Sequence, residues 1–216
     1  MARRRRVVKL VVGVAALALL GVLFASTLRD VAAEPYAVEA ENLRRWTVAL
    51  NQRPTPDGAL LLLRPLTALP MRLFDQVFQR TMESFATPAD PGIPLVLQHE
   101  FDRSLAEAVS SEELASLARE VGLENAALEP DCMAVHRTTG GREQRLFFVL
   151  FALPEFAQFR SAVAELARTR GGSNVPFDPD AATPALLVAS SDVRYLRYIP
   201  PRAELEGDCE SPVIVE

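Results

Sequence analysis

The chain has 216 residues, 49% hydrophobic and 24% charged, a balance that describes one folded domain with an accessory segment and excludes a disordered chain, a coiled coil or a polytopic membrane protein. Its net charge of -5 is unevenly spread: removing the six basic and one acidic side chains of residues 1–33 from totals of 23 and 28 leaves 17 basic and 27 acidic groups. A field of about -10 repels phosphate backbones, so nucleic-acid binding is disfavoured.

Arg3, Arg4, Arg5, Arg6 and Lys9 precede an uncharged run, residues 10–28, which as a helix would be about 28 Å long, close to a bilayer core. The run exceeds the ~7–15 apolar residues of a cleavable signal peptide. The expectation is therefore a single-pass signal-anchor, an N-terminal transmembrane helix in contact with the lipid bilayer. Cleavage near Ala33, after the small residues Val31 and Ala32, is the alternative and would leave a secreted or periplasmic protein. Positive charge before the span holds the N-terminus in the cytoplasm and makes the C-terminal domain extracytoplasmic. In that compartment Cys132 and Cys209 are expected to form a disulfide.

Residues 34–43 read as a short linker, 44–199 as the extracytoplasmic α+β domain, and 200–216 as a C-terminal tail stapled by the disulfide. Trp46 to Leu50 has strand composition, residues 54–58 are dense in turn formers, and residues 59–63 are an unbroken apolar run, which together predict a hairpin with a central second arm. Pro65 ends that arm. Pro70 starts a helix with Met71, Phe74, Val77, Phe78, Met82 and Phe85 at three- and four-residue steps until Pro88. Residues 93–101 alternate as a strand, with Ile93, Leu95, Leu97, His99 and Phe101 on one face.

Ser110 and Glu113 form a capping box for an inserted helix that ends at Gly122. Residues 133–137 and 145–151 are expected to pair through a turn at Gly140 and Gly141. Ala152-Leu153-Pro154 then matches Ala68-Leu69-Pro70, and a second helix follows with the stripe Phe156, Phe159, Val163 and Leu166 and a stop at Gly171. A third apolar run closes the unit at residues 184–189. Two strand-helix-strand units in one domain predict a ferredoxin-like duplicated βαβ sheet with its helices on one face.

The chemistry-bearing residues are few. His99, Glu100 and Asp102 place an imidazole near two carboxylates, and His136 with Asp131 and Cys132 would complete a hydrolytic or metal-dependent centre only if the strands were neighbours. Nucleophile motifs are absent, no cofactor is expected, and Asp178-Pro179-Asp180 lacks the ligand ladder of a calcium loop. Arg194, Tyr195, Arg197, Tyr198 and Arg202 concentrate cations and aromatics, with Glu204, Glu206, Asp208 and Glu210 downstream to neutralise them. The leading expectation is a membrane-anchored interaction or scaffold domain with a protein partner at the membrane. The alternatives are an exported hydrolase or metal-dependent enzyme using His99 and His136, and a peptide or glycan binder at an open sheet edge beside Tyr195 and Tyr198.

Overall fold

Two antiparallel hairpins, each followed by a proline-started helix and a third strand, make up most of the structure, a computed structural model that describes residues 34–51, 54–138, 143–171 and 173–216. The expected anchor at residues 10–28, its cleavage alternative and the Gly140-Gly141 turn lie outside the described residues. Among the described residues no helix is long and apolar enough to cross a membrane. Pro35–Glu216 is one compact unit.

The first hairpin pairs β2 (Trp46–Leu50) with β3 (Ala59–Pro65), and β4 (Ile93–Leu97) adds antiparallel to β3. Helix α1 (Leu69–Thr81) lies between β3 and β4 in sequence. The second hairpin pairs β5 (Glu129–Arg137) with β6 (Arg145–Ala152); α3 (Pro154–Thr169) follows, and β7 (Ala185–Ser190) adds antiparallel to β6. Between the two units stands α2 (Ser111–Glu120). Its capping box forms as expected, with the Glu113 amide donating to Ser110 Oγ at 3.2 Å and the Ser110 amide to the Glu113 carboxylate at 2.9 Å. Gly122 at φ 91° and Gly171 at φ 71° supply the left-handed exits that favour glycine.

The molecule is mixed α and β, but the ferredoxin-like expectation needs correcting. In a βαβ unit the two strands run parallel, whereas β3 and β4, and likewise β6 and β7, are antiparallel neighbours. The strands also divide into two sheets, β2-β3-β4 and a larger one in which β1 (Tyr36–Val38) and β8 (Cys209–Val215) precede the others in the order β1-β8-β5-β6-β7. The long returns after the helices explain the difference: residues 82–92 and 170–184 are each long enough to carry the chain back before the next strand starts. The duplication visible in the repeated Ala-Leu-Pro is thus of a hairpin-helix-strand unit. Proline sits in the first turn of both helices, and the leucine before it is buried both times.

The supposed linker and tail are parts of the larger sheet. Tyr36–Val38 is β1, and after the single turn and a half of α4 (Arg202–Gly207), Cys209–Val215 is β8, inserted between β1 and β5. The disulfide Cys132–Cys209 joins β5 to β8 with Cα atoms 5.8 Å apart, inside the distance a bridge requires. Because it closes a loop with a sequence separation of 77, such a bridge typically contributes about 2 to 4 kcal/mol.

Alternation gives the five-stranded sheet two apolar faces. Met133 and Val135, Phe147, Val149 and Phe151, and Leu186 and Val188 point into the main core with α1, α2, α3 and the smaller sheet. Cys132 and Ala134, Leu146, Phe148 and Leu150, and Ala185 and Leu187 form a second cluster on the opposite face. Strands covered on both sides read as continuous apolar runs, as 146–151 does.

On α3 the stripe Phe156, Phe159 and Val163 is buried, with Leu166 half-buried and Ala167 the deeper residue of that turn. The α1 stripe is different from the expected one. Leu69, Leu73 and Val77, at four-residue steps, are buried, while Met71, Phe78 and Met82 are 54%, 44% and 77% exposed. The helix stops at Thr81 with Met82 left-handed at φ 54°, well before Pro88. Phe85 lies beyond it and packs edge-on against Phe147 at 5.1 Å.

These placements separate two phenylalanines of equal size. Phe159→Ala should cost about 3 to 5 kcal/mol by emptying a fully buried site, and Phe78→Ser about 0.5 kcal/mol or less. Urea midpoints of the two variants check the contrast, and equal midpoints would refute the assignment of the buried faces.

Candidate binding cleft

The outer face of the five-stranded sheet is covered by the arm that runs from β7 to β8. Its first turn is built by Asp192, whose carboxylate accepts the Arg194 amide at 2.9 Å and caps the short 3-10 helix Val193–Tyr195. Ser190 Oγ donates to the Asp192 carbonyl at 2.8 Å. Tyr195, Leu196 and Tyr198 pack on the second cluster, Leu205 of α4 is buried in it, and the disulfide fixes the far end. The two tyrosine rings meet edge to face at 6.0 Å. Burial pushes the Tyr198 phenol above its ordinary pKa, and the negative charges of Glu204 and Tyr195 add to it.

His136 lies under this arm, 8% exposed. Its Nδ1 is 2.8 Å from Asp208 Oδ2, its Nε2 is 3.9 Å from Glu204 Oε2, and its ring is 6.0 Å from Tyr198. Since a carboxylate only accepts, Nδ1 carries the proton and donates it to Asp208. The arrangement ties β5 to α4. Asp131, at the start of the same strand, is exposed.

The expected strand through His99 ends at Leu97. Gln98–Glu100 is a helical turn that continues as a π-helical stretch, Phe101–Leu105. His99 is therefore exposed on a helix that follows the smaller sheet, whereas His136 belongs to the larger one. Asp102, also exposed, accepts from Gln98 Nε2 at 2.8 Å. The chain folds into a helix here because Glu100 turns back to accept the Leu97 amide at 2.8 Å. Among the described residues no three His, Cys, Asp or Glu side chains gather as metal ligands would.

Glu100 has a second partner that pattern reading missed. Arg160 of α3 is fully buried, and its five N–H groups donate to Glu100 Oε1 at 2.7 Å, Glu100 Oε2 at 3.3 Å, and the carbonyls of Leu95 at 3.1 Å, Pro179 at 2.9 Å and Asp178 at 2.7 Å. The Phe177 ring lies 4.5 Å from the guanidinium carbon. A signal was available: Phe156, Arg160, Val163 and Ala167 fall on one helical face, so a charge stood inside an apolar stripe. The Asp178-Pro179 turn serves this arginine through its carbonyls.

Arg194, Arg197 and Arg202 differ in how they are satisfied. Arg194 pairs with Asp192 at 2.5 Å, and Arg202 with Glu206 at 2.7 Å. Downstream, Glu206 pairs with Arg202 and Asp208 hydrogen-bonds His136, while Arg194 uses a residue before it. Arg197 is exposed and makes no ion pair among the described residues. It lines a cleft of about 580 Å³ with a floor of Leu62, Pro94, Phe148, Leu187 and Leu196. One wall is the loop that holds Pro88, Asp90 and Pro91, and the other is the arm. Residues from both sheets meet in it, which no local pattern could show.

The open sheet edge expected beside Tyr195 and Tyr198 is a covered face. Positions on three strand edges are occupied by side chains or backbone. The Gln76 amide exchanges two hydrogen bonds with Ala37 of β1, at 2.9 and 2.7 Å. Glu124 accepts the Val48 amide of β2 at 2.7 Å. Ala86 pairs with Ser190 of β7.

Two outcomes follow from these contacts. Arg160→Met should destabilise the fold by about 3 to 5 kcal/mol because it strands a desolvated Glu100 carboxylate, and adding Glu100→Leu should restore only part, since three carbonyls stay unpaired; a double-mutant cycle by urea denaturation measures the coupling. Arg194 holds the Asp192 carboxyl down at about 2 through their hydrogen bonds. A depressed folded pKa means the support for the arm's first turn is complete above the ordinary range near 4 and lost as pH falls through about 2. Carboxyl NMR should show Asp192 titrating there, and Arg194→Gln should return it toward 4.

Compared with protein-family models, with curated proteins and with solved structures, the chain finds no match.

Proposed function

We propose that this chain is a membrane-tethered protein whose extracytoplasmic domain works by contact, with the cleft beside the arm as its binding seat. The observation that carries the reading is the cleft itself: an apolar floor built from both sheets, beside one guanidinium that makes no ion pair among the described residues. Concave, mostly apolar sites with few placed polar groups are where proteins hold ligands. The disulfide supports export, because such bonds persist in oxidising compartments. The arginine cluster before residues 10–28 supports a signal-anchor that leaves the domain outside the cytoplasm. The reading favours a binding module over the hydrolase because His99 lies on the helical turn that follows the smaller sheet and His136 on β5 of the larger one.

A photo-crosslinking residue placed at Leu196 of the full chain in membranes should give a discrete adduct. The same residue at exposed Glu107 should not, and Arg197→Glu should weaken the Leu196 adduct several-fold. Equal adducts at both positions, or one indifferent to Arg197, would remove the cleft as the seat.

A further inference from the structure

We infer that the cleft takes an amphipathic monoanion, a small molecule with an apolar body and one carboxylate, with Arg197 as the group that holds the anionic end. This rests on the binding role proposed above and names its chemistry. At about 580 Å³ the cleft falls in the range of roughly 300–1,000 Å³ that small ligands fill.

The charges around it decide the sign of the occupant. Three charged side chains line the cleft, and two are already matched: Asp90 by Arg64 at 3.5 Å and Arg194 by Asp192 at 2.5 Å. Arg197 is left over, so the cleft has an uncompensated positive end within an acidic domain. A guanidinium presents a planar fork that fits a carboxylate through two parallel hydrogen bonds. One such fork suits a single negative charge, and the surrounding acidity opposes a multiply charged phosphate.

The walls decide the rest of the molecule. Pro88, Pro91 and Pro94 supply no backbone N–H, and the Asn51 amide is spent on the Ala59 carbonyl at 3.0 Å. A sugar would bury hydroxyls against Leu62, Phe148 and Leu187 without partners, which costs free energy, while methylenes gain it. The cleft sets the Arg197 guanidinium of the arm beside an apolar floor, and the complementary molecule has the same division.

The test uses the full chain in lipid nanodiscs and hydrogen-exchange mass spectrometry with hexanoate, octanoate and decanoate as probes. Octanoate should protect residues 193–199 and the facing loop 88–94. Affinity should rise about fourfold per added methylene, the ratio equivalent to ~0.8 kcal/mol for each one buried. Arg197→Gln, at an exposed position that keeps the fold, should weaken octanoate about tenfold or more and leave octanol unchanged. Octanol or octylammonium binding as well as octanoate, or indifference to Arg197→Gln, would overturn the anion. A flat chain-length series would overturn the apolar body. If no alkanoate protects either wall while the Leu196 adduct persists, the ligand class is wrong and the binding role stands, a protein segment being the occupant; if both fail, the two readings fall together.

Discussion

The fold turns on one buried guanidinium. Burying an arginine is prohibitive unless each of its donors is matched, and Arg160 meets that condition with five acceptors drawn from β4, the helical turn after it, and the 178–179 turn before β7. One side chain on α3 thereby fixes where the first unit ends and where the second closes. Glu100 is held in turn by the Leu97 amide, which is why the chain leaves the smaller sheet as a helix. Apolar packing alone would fill this space at lower desolvation cost. The ion pair adds geometry, because a planar fork accepts its partners in one arrangement.

The second constraint is the double-faced sheet. Strands β5, β6 and β7 are apolar on both sides, so the face turned away from the main core needs a cover of its own. The arm supplies it with Tyr195, Leu196, Tyr198 and Leu205, and three ties keep it down: the disulfide, the His136–Asp208 hydrogen bond and the Asp192 cap. This cover leaves a gap toward the smaller sheet, and the gap is the cleft. The Arg/Tyr segment is therefore two things at once. Its tyrosines close the sheet and Arg197 faces the opening.

Much of this was legible in the residues. Turn formers between apolar runs placed both hairpins, the capping box placed α2, and the two Ala-Leu-Pro repeats placed the helices that follow the hairpins. What failed has a common cause. Period-two alternation says which residues share a face and is silent on which strand lies alongside or in which direction it runs, so the antiparallel third strands read as parallel ones. The alternation from Ile93 through Phe101 was fortuitous beyond Leu97, because a hydrogen bond from the Leu97 amide to Glu100 outweighed it. On α1 the aromatic residues drew the stripe toward Phe78, although Leu69, Leu73 and Val77 keep a stricter four-residue step. β8 has Glu210, Ser211 and Pro212 among its seven residues and buries Val213 alone, so its pairing partners, not its composition, make it a strand.

The treatment of strand edges bears on how this domain could meet another molecule. An unpaired edge invites a further strand, yet at β1 a glutamine amide imitates the missing peptide, at β2 a glutamate takes the amide, and at β7 the segment through Ala86 supplies backbone pairing. Recognition by strand addition would have to displace those bonds before gaining its own. The cleft asks for no such exchange: it is an open concavity lined in part by apolar residues, and the Arg197 side chain that lines it makes no ion pair among the described residues. Contact through the cleft is therefore the less costly route, and it depends on the arm staying where the disulfide and His136 hold it.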